Sequence, residues 1–304
     1  MTTTIEPPIP SVMVRSGAIQ TVSERANLYL DQALAVNLTG PPGVGKTTLA
    51  LDLAEGRRRS VVFVQGNSAT VVEDLVGGYR GYRHHKVVDN FVREVLKLDE
   101  QVETRWESGW LTKAVANGQV VVFDEFNRVT AEVQTVLLAV LQEKVLPITR
   151  LGHGENIDVH PEFRLILTTA VYGQAGVHPI PDPLGDRLVT IVLDPLDETT
   201  EAKIVCAHSG LEVEEGKQIV RLTRHLKSPG AKAGSAKQNL RPTSSVRAGI
   251  ALARICRTQG WSLREQIWPP VLPAVIHDLC GPSCGYSLIE IENYLRLAAK
   301  ESSR

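Results

Sequence analysis

The sequence predicts an α/β fold in which a parallel-sheet domain is followed by a smaller, C-terminal helical domain. Three observations carry that expectation. A glycine-rich loop, TGPPGVGKTT at 39–48, lies between an apolar run and a helical pattern. Continuous apolar runs at Val120–Phe123 and within Phe163–Thr169 read as strands buried on both faces. Beyond Leu193 the composition changes to helical periodicity.

Bulk properties narrow the functional classes. The chain has 304 residues, 43% hydrophobic and 22% charged, with a formal net charge of -1. That balance gives no general attraction to nucleic acid or to an anionic membrane surface. The four cysteines (Cys206, Cys256, Cys280, Cys284) are too sparse for a disulfide framework, and Cys280 and Cys284 lack a second ligand pair for zinc. No apolar run approaches the ~18 residues of a membrane span. The opening MTTTIEPPIPSVMVRSG has no apolar leader segment, so a cytoplasmic location is expected.

Residues 1–20 read as an N-terminal arm and 21–195 as the α/β core. Val36–Gly56 reads strand, glycine loop, helix. Gly40, Gly45, Lys46 and Thr47 satisfy the phosphate-loop spacing G-x-x-x-x-G-K-T. Glycines there let backbone N–H groups turn onto phosphate oxygens, and the following helix adds its positive end. Gly40, Pro41, Pro42, Gly43, Val44, Gly45, Lys46, Thr47 and Thr48 are the candidate ATP contacts. Lys46 reaches the β- and γ-phosphates, and the Thr47 hydroxyl joins the Mg²⁺ shell.

A strand at Ser60–Gln65 follows the helix. Residues 73–117 then form an insertion, because the chain between the two nucleotide motifs exceeds a minimal strand-helix-strand return. Within it, EDLVGGYRGYRHHKVVDNF carries Tyr79 and Tyr82, candidates for a substrate-facing loop with packing as the alternative. Its modest net charge argues against a nucleic-acid clamp.

Val120–Phe123 ends in Asp124 and Glu125, at the carboxyl end of a strand where α/β sheets place ligands. Asp124 fits a Mg²⁺ carboxylate and Glu125 fits the base that polarises the attacking water. A helix follows over Thr130–Leu146, with Thr130 placed to cap it and Val133, Val136, Leu137, Val140 and Leu141 on one face. Residues 147–163 read as a hairpin, and Phe163–Thr169 as the next buried strand. Asp186-Arg187 precedes one more strand. Residues 196–304 form the lid, with helical patterns at Glu198–His208, Leu211–Leu226, Pro242–Arg257 and Leu288–Lys300.

With these motifs in place, the chain resembles an AAA+ ATPase of the MoxR type. The stretches DLVGG…GYRHHKVVDNFVREVLK, RWESGWLTKAVANG, FDEFNR, LLAVLQEKVL, VHPEFR, AGVH and LRPTSSVRAGIALAR make it similar to the gas vesicle protein N family in particular, from about Ser11 to Arg257. The resemblance implies a Mg-ATP-hydrolysing homo-oligomer, usually a hexameric ring. It also implies support of gas vesicle assembly and enlargement in the cytoplasm, through vesicle structural or assembly proteins. It implies that Arg187 enters a neighbouring subunit's site, with a local salt bridge as the alternative. Arg247 or Arg241 is the lid's sensor arginine by the same likeness. The chain departs from the family pattern at Ala170, where a polar asparagine is common, leaving Thr168 or Thr169 as the hydroxyl at that strand end.

Arg221 to Arg257 holds nine Lys or Arg and no acid, a phosphate-sensing or acidic-partner surface in one reading and a solvated basic face in the other. Three other functions compete with vesicle assembly. They are a MoxR-type activator of another enzyme complex (Rubisco-activating relatives among them), a nucleic-acid motor, and a non-hydrolysing nucleotide scaffold. The absence of a helix-turn-helix pattern after the lid counts against the motor.

Overall fold

A computed structural model describes residues 14, 17–87, 99–150, 153–171, 175–227, 246–263, 267–280 and 286–301. Helix α1 (Gly17–Asp31) leads into strand β1 (Ala35–Gly40), and the glycine loop into α2 (Lys46–Glu55) and β2 (Val61–Gln65). Next come α3 (Val72–Val76), the strands β3 (Gly77–Val87) and β4 (Asp99–Ser108), and α4 (Trp110–Asn117). Strand β5 (Val120–Asp124) runs into a single 3₁₀ turn (Phe126–Arg128) and α5 (Ala131–Gln142). A ribbon of β6 (Val145–Arg150) and β7 (His153–Asp158) precedes β8 (Arg164–Ala170), the short α6 (Asp182–Gly185) and β9 (Leu188–Val192). Helices α7 (Glu198–Ser209), α8 (Val213–Lys227), α9 (Val246–Gln259), α10 (Leu272–Cys280) and α11 (Leu288–Glu301) complete the chain.

The core sheet has the order β2-β5-β8-β1-β9 and is parallel throughout. Its central strands explain the unbroken apolar runs, because both faces are covered. Every residue of β5 is buried, and β8 is buried from Leu165 to Thr169. One face packs against α1 and α2 through residues such as Leu30, Leu49, Leu53 and Ile166. The other packs against α3, α4 and α5 through Leu75, Leu111, Phe123, Leu137 and Leu167. Phe123 makes edge-to-face contacts with Trp110 (5.4 Å) and Phe126 (5.1 Å). Each such pair is worth about 0.5–1.5 kcal/mol beyond burial, so this cluster holds the carboxyl end of β5 against α4.

Within the segment 73–117, α3 and α4 pack on the core sheet, and between them β3 and β4 form a two-stranded antiparallel ribbon with a register shift between Arg80 and Arg83. Gly77 (φ +116°) lets its root pass close to β4, since a Cβ there would lie 2.5 Å from the Glu107 carbonyl. Tyr79 packs edge-on against Trp106 at 5.3 Å. The side chain of Tyr82 lies outside the described residues, as do Arg241, Cys284 and the basic loop 228–245.

The lid helices surround a second core of Val205, Ile219, Leu222, Leu252, Leu272 and Ile291. Two local contacts order the start of the lid. Asp197 caps α7 by accepting from Thr200 N at 2.9 Å, and that side-chain and backbone bonding to Thr200 holds its carboxyl below the usual range. Arg224 pairs with the buried Glu201 at 2.7 Å and donates to the Leu196 carbonyl in the connecting segment.

Four details differ from the sequence reading, one being that the helix expected over Thr130–Leu146 ends at Gln142, with Val145 and Leu146 already in β6. Helix α1 begins at Gly17, so residues 17–20 of the expected arm are helical, and α10 has no counterpart among the expected helices. Thr130 stands at the N-cap of α5 with extended backbone, yet its side chain makes no cap bond.

Candidate nucleotide site

The sheet's register brings the chemistry together. Leu38 of β1 lies beside Thr168 of β8, and Phe123 of β5 beside Leu167, so the glycine loop, Asp124 and Thr168 meet at one carboxyl edge. The loop's glycines do different work. Gly45 (φ +90°) precedes α2 in a left-handed conformation with open space where a Cβ would be. Gly40 (φ +154°) instead allows β9 to close in, since a Cβ would lie 2.5 Å from the Leu193 carbonyl. Gly45 shapes the turn of the loop into α2, and Gly40 packs the loop against the sheet.

Around the cradle the polar groups are tightly bonded. Thr47 Oγ1 donates to Asp124 Oδ1 at 2.7 Å, and Thr168 Oγ1 donates to the same oxygen at 2.6 Å. Thr168 Oγ1 also accepts from the Glu125 N–H at 3.0 Å. Thr168 is wholly buried and Asp124 is 7% exposed. Glu125 adopts φ 51°, ψ 39°, an uncommon left-handed conformation for a residue with a side chain. The approach of the backbone after β2 helps fix it: Gly66 N donates to the Asp124 carbonyl at 2.7 Å, and a Cβ on Gly66 would lie 2.7 Å from the Glu125 carbonyl. The Glu125 carboxylate pairs with Arg128 at 2.8 Å.

Lys46 donates to the carbonyls of Gly40 (2.8 Å) and Pro41 (3.0 Å), which hold its ammonium over the loop. Burial pushes its pKa below the ordinary lysine range. Asp124 and Glu125 pull it back up, and Arg247 adds to the lowering. Arg247 of α9 thus lies close enough to Lys46 to be felt by its charge, while the competing Arg241 lies outside the described residues.

These groups line a cavity of about 820 Å³ between the sheet domain and the lid. Val44, Lys46, Thr47, Asp124, Glu125, Thr168, Arg247 and Arg254 all border it. Ala18, Ile19 and Val22 of α1, together with Ile204 and Ile250 of the lid, add apolar side chains to its lining. The sequence reading missed these α1 residues, although the spacing of Ala18, Val22 and Ala26 was a legible helical signal. A lining that combines cationic loop and lid groups with apolar side chains suits a nucleoside triphosphate. A hydroxyl and a carboxylate oxygen 2.7 Å apart are hard donors of the kind a small divalent cation takes.

Other expected residues lie elsewhere. Thr169 turns away from the cavity and donates to Asn37 Oδ1 at 3.1 Å. Ala170 borders the cavity with a methyl group, and Asn127 holds its backbone by two bonds of 2.8 and 3.0 Å. Arg187 is exposed, its side chain donates to Gln142 Oε1 at 3.4 Å, and it is not among the residues that border the cavity of its own chain. Tyr79 sits at the root of the β3–β4 ribbon, also away from the cavity. Among the described residues no group of His, Cys, Asp and Glu forms a separate metal cluster, and no helix is long and apolar enough to cross a membrane.

Comparison with known proteins identifies the domain that carries most of these residues. Residues 35–188 match the AAA domain of the dynein-related subfamily. Gas vesicle ATPase GvpN of Ancylobacter aquaticus is 35% identical over 252 residues, covering 81% of this chain and 68% of that protein. Gas vesicle ATPase GvpN of Haloferax mediterranei is 40% identical over 216 residues, covering 70% of this chain and 62% of that protein. Protein NorQ of Paracoccus denitrificans is more distant, 28% identical over 81% of each chain. The chain belongs to the gas vesicle ATPase GvpN family of AAA-domain ATPases.

Proposed function

We propose that this chain is a Mg-ATP-hydrolysing, ring-forming remodelling ATPase that acts in the cytoplasm on gas vesicle structural or assembly proteins. The observation that carries the hydrolytic part is the bonded cluster of Thr47, Asp124 and Thr168, with the Glu125 backbone tied to it. Thr47 and Asp124 would hold Mg²⁺, which when bound neutralises charge on the β- and γ-phosphate oxygens. The Gly43–Lys46 backbone and the Lys46 ammonium orient the triphosphate, and Glu125 takes a proton from the attacking water. Arg247 reads the phosphates from the lid. The exposed Arg187 serves a neighbouring copy's site, a role supported by its having no place in its own cavity. The β3–β4 ribbon, with Tyr79 and Tyr82, is the substrate-facing element.

The vesicle part rests on family membership. Likeness to GvpN proteins (35% and 40%) exceeds that to NorQ (28%), which favours vesicle assembly over activation of another enzyme complex. The test is capture with Glu125→Gln, loaded with ATP, in gas-vesicle-producing cells. Nucleotide-dependent recovery of vesicle proteins supports the reading, and recovery of DNA or an unrelated enzyme in their place contradicts it.

A further inference from the structure

Besides its two carboxylates, the stretch Asp124–Arg128 carries two polar side chains, Asn127 and Arg128, to which the mechanism above gives no task. Arg128 borders the nucleotide cavity together with Glu125 and Ala170. Its Nε lies 2.8 Å from Glu125 Oε2, and its Nη1 donates to the Ala175 carbonyl at 3.4 Å. The base of this arginine is anchored. Asn127, 1% exposed, holds the N–H and C=O of Ala170, and its own carbonyl accepts from His178 N at 2.7 Å.

The Glu125 backbone is fixed separately. Its N–H donates to Thr168 and its carbonyl accepts from Arg128 N at 2.9 Å. What remains free is the carboxylate's rotation, and Arg128 is the group in contact with it. The guanidinium faces Oε2 as an ion pair at 2.8 Å, in which the buried Nε–H makes no aligned hydrogen bond, and Oε1 is left as the oxygen for a water proton. A methyl at Ala170 supplies no polar atom there, so Arg128 supplies the polar contact to the base.

We infer that Arg128 is a positioning residue for hydrolysis, holding the Glu125 carboxylate by one oxygen so that the other faces the attacking water. This inference rests on the reading of Glu125 as the base. Its rival is an incidental i,i+3 pair between partly exposed side chains, which would have little effect on anything measured.

The test compares wild type, Arg128→Ala, Arg128→Lys, Glu125→Gln and the double variant in steady-state ATP hydrolysis with Mg²⁺, alongside mant-ATP affinity and thermal melts. Misplacing a catalytic group by about 1 Å costs on the order of 100-fold. Arg128→Ala is expected to lower kcat about 10- to 100-fold, with KM and mant-ATP affinity within about twofold. Arg128→Lys should recover part of the loss, and the double variant should be no slower than Glu125→Gln. Arg128→Gln, which keeps part of the stem, replaces the alanine variant should that one melt at assay temperature. A kcat for Arg128→Ala near or above wild type overturns the inference, as does a double variant slowed by the same factor as the single one. Wild-type activity in Glu125→Gln overturns the base itself, an outcome distinct from either.

Discussion

Replacing Thr168 by valine keeps the side chain's shape and removes one hydroxyl from a fully buried position. That hydroxyl makes two contacts at once, a 2.6 Å bond to Asp124 and a 3.0 Å bond from the Glu125 N–H. Loss of a bond to a charged acceptor costs about 1.5–3 kcal/mol, and stranding a buried N–H costs about 1–3 kcal/mol. Because Thr47 still serves Asp124, the two do not add fully, and a total of about 3–4 kcal/mol is expected. Thr169→Val is the control. It removes a 3.1 Å neutral bond to Asn37 and should cost about 1–2 kcal/mol. Urea unfolding measures both values, and steady-state ATP hydrolysis measures the consequence. Thr168→Val should lose on the order of 100-fold in kcat, through displacement of Asp124 and Glu125, while Thr169→Val stays within about twofold. Equal effects of the two valines on kcat would refute the reasoning, since only one of these threonines touches the carboxylate pair.

Two further outcomes follow from the glycines and from a buried thiol. Gly45→Ala should weaken mant-ATP binding about tenfold with a small change in melting temperature, because its left-handed backbone is strained by about 1–2 kcal/mol but its Cβ enters open space. Gly40→Ala should lower the melting temperature of the nucleotide-free protein more, because its Cβ meets the Leu193 carbonyl. Burial, with the Glu215 charge adding to it, pushes the Cys256 thiol from 9.0 up to about 11. The unfolded thiol therefore loses its proton first, and the unfolding free energy should fall by about 2 kcal/mol between pH 9 and 11. Denaturant titrations across that range should show this component in wild type and not in Cys256→Ala.

The phosphate loop and Asp124-Glu125 were legible because their chemistry is local. Glycines at fixed offsets and carboxylates after an unbroken apolar run leave few other uses. The strand runs were equally clear, since strands flanked on both sides need no polar alternation. The rest depended on tertiary contact. Thr168 and Thr169 are adjacent and chemically identical, and pleating alone sends one to Asp124 and the other to Asn37. Glycine-rich, charged Gly77–Val87 reads poorly as a strand because it pairs only with β4, outside the core sheet. The part of α1 that borders the cavity was hidden by a polar, proline-rich leader. Helix α10 was obscured by Pro269, Pro270 and Pro273 at its start, although proline is tolerated in a first helical turn. Arg128 stood in plain view within FDEFNR, but its contact with Glu125 follows from a backbone turn that no spacing announces.

The central claim is that Lys46, Asp124 and Glu125 form one Mg²⁺-dependent ATP-hydrolysing centre. It is tested most directly by steady-state ATP hydrolysis, with mant-ATP binding in parallel, for wild type, Lys46→Ala and Glu125→Gln. Wild type should turn over only with Mg²⁺. Lys46→Ala should lose binding and turnover together, and Glu125→Gln should bind with near-normal affinity while losing at least about 100-fold in rate. Equal rates in all three proteins would contradict the account.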